Sequence, residues 1–141
     1  MKKILLLLLA VALIVSCGKK EVKQVSQDSK MALEAFALAE TVKNAFVVKD
    51  DITLKKSSTE DGYRDISANT RQYDRVEVTF TPRWVEIENN QLHVNIAWKS
   101  VWVVSGKSTE ERGMAVFVME GVPLRVSKVL RGNPFIFPAQ H

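Results

Sequence analysis

The chain is poor in the residues that staple small proteins or give them chemistry. Among 141 residues there is one cysteine, Cys17, and there are two histidines, His93 and His141. A lone thiol excludes an internal disulfide and a thiolate-based metal site. No glycine-rich phosphate loop, Ser-His-Asp elbow or paired-histidine motif occurs, so no metal, cofactor or catalytic residue is assigned. No apolar run reaches the ~20 residues that a membrane-spanning helix needs. Charge of one sign is lacking too. Of 20 basic and 16 acidic side chains, Lys2 and Lys3 lie at the very start, which leaves 18 against 16 in residues 17–141. The bases, among them Lys55, Arg71, Arg75, Arg83, Lys99 and Arg112, are interleaved with acids. The concentrated basic stripe with stacking aromatics that binds nucleic acid is missing, so nucleic acid is excluded as an expected partner.

What is present suffices for a core. With 46% hydrophobic and 26% charged residues the chain is too apolar for disorder. A chain of this length buries roughly two-thirds of its unfolded surface.

The first residues have the layout of an export signal. Lys2 and Lys3 precede an unbroken apolar run of 12 residues, Ile4 to Val15. The run ends in Ile14-Val15-Ser16-Cys17-Gly18, which resembles the bacterial lipobox. That resemblance implies diacylglyceryl transfer to the Cys17 sulfur, cleavage before Cys17 and acylation of the new amino terminus. More than one acyl chain is what stable anchoring takes. The alternative for a lone cysteine is a buried structural residue. Gly18, where an Asp would retain the protein at the inner membrane, implies the outer membrane if the host is Gram-negative. The expected organisation is a signal peptide over residues 1–16, a lipidated polar tether over 17–27 and one domain over 28–141. The chain is then expected in the cell envelope, facing the periplasm.

Ser26, Asp28 or Ser29 can cap a helix. Met31, Ala35, Leu38, Val42, Ala45 and Phe46 then recur at spacings of three and four, widened by Ala32 and Ala39, while Lys30, Glu34, Thr41 and Asn44 lie opposite. This predicts one long amphipathic helix that Lys49-Asp50-Asp51 stops. Ile52–Leu54 reads as a short extended or helical turn, Ser57–Gly62 as a loop and Thr70–Asp74 as a possible short helix. Strand patterning follows: Val76–Thr81, a break at Pro82, Trp84–Glu88, a turn at Asn89-Asn90-Gln91, then Leu92, Val94, Ile96, Trp98, Trp102 and Val104 on one face. Ser105–Gly113 reads as a polar loop. Met114–Met119 and Leu124–Leu130 complete the sheet, and Phe135–Pro138 forms a tail that packs back.

This order, with Leu92-His93-Val94-Asn95-Ile96-Ala97-Trp98, Val116 to Val126 and Arg131-Gly132-Asn133-Pro134-Phe135, resembles the nuclear-transport-factor-2-like superfamily, which includes SnoaL-type cyclases and ketosteroid isomerases. The resemblance implies an α+β fold: a long helix packed on a strongly curved, mainly antiparallel sheet, the cone-shaped α+β barrel, with a pocket between helix and sheet. Pro82 and Gly113 are candidate breaks for the curvature.

The candidate pocket lining is Phe36, Phe80, Trp98, Trp102 and Phe117, beside the plainer reading of a filled core. Asp61, Tyr63, Arg64 and Asp65 form the densest polar group, with Tyr63 and Arg64 as candidate ligand contacts and a solvated loop as the alternative. His93 falls on the polar strand face. The expected function is a membrane-anchored, non-catalytic domain that binds a small apolar ligand or a protein. The alternatives are an isomerase, cyclase or hydrolase of the same fold, and an envelope-assembly protein that forms a homodimer through its sheet, with Trp84 and exposed Val101 and Val103 in the contact.

Overall fold

The structure is a computed structural model that describes residues 26–68 and 73–138. The signal segment, Cys17, nearly all of the tether, Thr70–Gln72 of the possible short helix and His141 lie outside the described residues. Tyr73 and Asp74, from that same possible helix, are not helical.

Helix α1 runs from Gln27 to Val47. Ser26 caps it, its hydroxyl accepting from the Ser29 N–H at 3.2 Å. The apolar stripe predicts the buried face: Ala35, Ala39, Val42, Ala45 and Phe46. Three alanines let the helix lie close to the strands it covers, β1 and β2. Lys49 ends the helix in the left-handed region (φ 59°). Its N–H reaches the Phe46 carbonyl while the Asp50 N–H reaches that of Ala45, satisfying carbonyls the last turn would orphan.

The next segment corrects the sequence reading. Asp51–Ser57 and Glu60–Ser67 are helices, α2 and α3: the first is the helical alternative at Ile52–Leu54, made longer, and the second begins inside the expected loop. The polar residues that suggest loop are caps: Asp50 accepts from the Thr53 N–H at 3.1 Å, and Thr59 accepts from the Gly62 N–H at 3.2 Å. Gly62 sits inside α3 because the helix presses on a strand there. A Cβ at that position would lie 2.0 Å from the Val126 carbonyl oxygen.

Four strands, β1 (Arg75–Glu88), β2 (Gln91–Val104), β3 (Lys107–Glu120) and β4 (Arg125–Arg131), form one antiparallel sheet in sequence order. The sheet is curved, and the helices pack on one face, an α+β fold. The expected break at Pro82 is a register shift between Pro82 and Trp84. The second lies between Val118 and Met119. Gly113 is no break; it pairs regularly with Trp98.

The expected polar loop at Ser105–Gly113 is a hairpin instead. Ser105 and Gly106, both at positive φ, make the turn, and β3 pairs with β2 from Lys107 onward. Lys107–Glu110 are exposed. Paired backbone holds this arm together, so its side chains carry no apolar alternation to read.

The core lies between helices and sheet. It joins the α1 face to Val76, Val78 and Phe80 of β1, Leu92 to Trp102 of β2, Ala115, Phe117 and Met119 of β3, and Phe135 and Phe137 of the tail.

Candidate functional site

The resemblance directs attention to the cone interior, where a ligand pocket is expected. Phe80, Trp102 and Phe117 do converge there, but Phe135 lies among them, fully buried. Its ring centroid is 4.7 Å from that of Phe46, 6.0 Å from Phe117 and 6.3 Å from Phe80. Phe137, two residues on, stands edge-to-face with Trp102 at 5.3 Å. Pro134 and Phe135 form a turn, with the Ile136 N–H reaching the Asn133 carbonyl at 3.5 Å, and exposed Ile136 separates the two buried rings.

Polar groups of β2 hold that tail in register. Trp98 donates from Nε1 to the Gly132 carbonyl at 2.9 Å, and Ser100 from Oγ to the Pro134 carbonyl at 3.2 Å. Asn133 donates to the Asp65 carbonyl at 2.8 Å and accepts from the Phe135 N–H at 2.9 Å. The Asp65 carboxylate accepts from the Val129 N–H at 2.9 Å, tying α3 to β4. The buried Trp102 Nε1 has no hydrogen-bond partner among the described residues.

Among the described residues, no acid, histidine or lysine belongs to the core cluster. Tyr73 packs against it, and burial pushes its phenol above the ordinary value, which keeps it neutral.

The other candidates lie elsewhere. Phe36 is half-buried on α1. The Tyr63 hydroxyl donates outward to the Asp51 carboxylate. Arg64 is exposed and pairs with Asp61 at 3.1 Å and Glu60 at 3.5 Å. Asp51 is held below the ordinary carboxylate range by hydrogen bonds from Lys55 and Tyr63, and Tyr63 is raised by the same carboxylate. This is a solvated trio on α2 and α3. His93 is half-buried on the outer face, between Glu86 and Val118 of the neighbouring strands. No group of acids, histidines and cysteines among the described residues is placed to hold a metal ion. No described helix is long and apolar enough to cross a membrane.

Surface clefts among the described residues include these two. One, about 450 Å³, lies between the tail and β3, lined by Trp98, Arg112, Gly113, Gly132, Ile136 and Phe137. The other, about 260 Å³, lies between the start of α1 and the β3–β4 turn.

The outer face of the sheet was less legible. Cross-strand register sets Trp84, Asn95, Val116 and Leu130 in one row, and Glu86, His93, Val118 and Lys128 in the next. Val116 and Val118 are buried yet stand apart from the core cluster. Around them Trp84 stays 51% exposed, Leu130 39% and Met114 37%. Glu86 and Glu88 lie on the β1 edge, Lys128 and Arg125 on the β4 edge, and none of the four is ion-paired among the described residues. Val101 and Val103 are half-buried, not exposed. Reading register across all four strands, which alternation in single segments does not supply, is what would have revealed these rows.

No protein-family model and no curated protein matches the chain in sequence. In structure it is similar to a nuclear transport factor 2 (NTF2-like) superfamily protein from Salmonella enterica serovar Typhimurium LT2. The match has a TM-score of 0.65 at 13% identity and covers 76% of this chain and 93% of that one. The domain therefore has the NTF2-like fold, which is compatible with a ligand-binding or an enzyme-type domain.

Proposed function

We propose that the chain is a lipoprotein of the bacterial envelope, anchored through Cys17, whose domain acts by protein contact rather than catalysis. The first partner is a second copy. The observation that carries this reading is Phe135: the chain's own tail occupies the volume a ligand would need, and no acid, histidine or lysine is fully buried among the described residues. Function is then sought on the surface, where the outer sheet face keeps Trp84, Met114 and Leu130 in contact with water.

The charges on that face suit self-association. A two-fold axis parallel to the strands, between β2 and β3, sets Trp84 of one copy over Leu130 of the other. The same operation brings Glu86 over Lys128 and Glu88 over Arg125. The lipobox-like Ile14-Val15-Ser16-Cys17 supports the anchor and, with Gly18, an outer-membrane address if the host is Gram-negative.

Two measurements test the reading. Intact mass of the membrane-extracted protein should show an amino terminus at Cys17 carrying added acyl mass, lost in Cys17→Ala. Sedimentation of the detergent-solubilised protein should show a dimer that Trp84→Glu turns into a monomer with unchanged unfolding. A monomeric wild type would reject the contact reading. In that case a small ligand in the cleft beside Trp98 and Phe137 is favoured, one with an apolar part for Trp98, Ile136 and Phe137 and a polar part for Glu111, Arg112 and Asn133.

A further inference from the structure

One end of the domain gathers what a lipid surface would meet. The start of α1, at Gln27 and Met31, shares a cleft with Leu92, Val122 and Pro123, so the β3–β4 turn stands beside the point where the chain enters the domain. Leu92 pairs with Ile87, which places the β1–β2 turn at the same end. Val122 is fully exposed at its tip, Leu33 and Ile87 are exposed, and Met31 is half-buried. Past the far end of α1, Val48 and Ile52 are exposed as well, but the β2–β3 turn at Ser105-Gly106 and the arm Lys107–Glu110 carry no exposed large apolar residue, so the tether decides which end meets the membrane.

We infer that this apolar end is a bilayer-contacting surface, with the Val122-Pro123 tip seated among lipid headgroups. The inference rests on the lipidation of Cys17 proposed above. Chain length argues for this occupant. The eight residues from Gly18 to Val25 reach at most about 28 Å fully extended, and α1, with 21 residues, is about 32 Å long. A lipid on Cys17 therefore holds the start of α1 near the membrane. Turning the far end to the bilayer would need the whole tether stretched back along the helix. Charge does not oppose the contact. Glu21, Asp28, Glu34, Glu88 and Glu120 are offset one for one by Lys19, Lys20, Lys23, Lys30 and Arg125. The contact is apolar in origin, so salt should not release it.

The test uses the full lipidated chain with a thiol-reactive, polarity-sensitive fluorophore on Val122→Cys or, at the far end, on Ser108→Cys. In mature protein the Cys17 sulfur is a thioether and takes no label. The protein is reconstituted into phosphatidylethanolamine–phosphatidylglycerol vesicles that carry a headgroup quencher. The expected result is a blue-shifted, several-fold more strongly quenched probe at 122 than at 108, unchanged at high salt. Equal weak quenching at both sites, with acyl mass present, overturns the orientation and leaves the anchor standing. Absence of acyl mass overturns the anchor and this inference with it.

Discussion

The indole N–H of Trp98 donates to the Gly132 carbonyl at 2.9 Å, and the ring passes over Gly113 on the way. A side chain on β2 thus fastens the tail through a gap that an absent side chain on β3 leaves. A Cβ on Gly113 would lie 2.7 Å from Trp98 Cζ2. The glycine that reads in sequence as a break in the sheet is a seat for an aromatic ring.

Gly113→Ala should therefore destabilise the domain by about 1–3 kcal/mol, the cost of overpacking a filled site. Trp98→Phe in the same chain should recover part of that loss, because the smaller ring withdraws from the clash. Urea unfolding of the two single variants and the double variant measures the coupling. Additive losses would mean the ring does not lie over Gly113 in solution.

Phe135→Ala should cost about 3–5 kcal/mol, since a fully buried phenyl leaves a cavity its neighbours cannot close. Ile136→Ala, at an exposed position, should cost far less. The emptied site is walled by Phe46, Phe80 and Phe117, so benzene should bind the variant and raise its unfolding midpoint while leaving wild type unchanged. A loss below about 1 kcal/mol for Phe135→Ala would place the tail outside the cone.

The fold was legible where side chains alternate against a core. The Val76–Phe80 alternation and the Leu92–Trp102 face bury the residues their periods single out, and the α1 stripe buries five of its eight, with Met31, Ala32 and Leu38 half-buried. It was illegible where backbone or tertiary contact decides. Lys107–Glu110 are held by ladder bonds with no apolar face, and Gly62 survives inside α3 only because Val126 lies against it. For the candidate site, aromatic composition marked Phe80, Trp102 and Phe117 as interior. It could not tell an open cone from one filled by Phe135, because the occupant sits at the far end of the same chain.

The Asp51–Tyr63–Lys55 trio gives a pH signature. Asp51 is lowered from its ordinary 3.8, first by Lys55 and then by Tyr63. Its contribution to stability is therefore present above 3.8 and lost as pH falls through the lower folded value. Tyr63 is raised from 10.0, chiefly by Asp51, and Lys55 from 10.5 by the same carboxylate. Their contributions are present below those values and lost as pH rises through the higher folded ones. Asp51→Asn should bring one of the two tyrosines down toward 10.0 in an ultraviolet phenolate titration. Tyr73, raised by burial alone, should stay where it is. An unchanged titration of both would show that the Tyr63–Asp51 hydrogen bond does not form in solution.

The paired edges of the outer sheet face make the dimer geometry testable by charge. With the two-fold axis along the strands, Glu86 meets Lys128 of the second copy, twice per dimer. Glu86→Lys replaces two attractions by two repulsions, and Lys128→Glu does the same from the other side. Each exposed pair is worth up to about 1 kcal/mol, so either variant should raise the dimer dissociation constant by about tenfold at low salt. The double variant restores opposite charges at both contacts and should recover wild-type affinity, and high salt should shrink every difference. A dimer with its axis across the strands would instead set Glu86 over Glu86, and Glu86→Lys would then exchange one repulsion for another of equal size. Sedimentation of the three variants separates the two arrangements: weakening by each single reversal, with recovery in the double, selects the axis along the strands. Indifference to the single reversals rejects it.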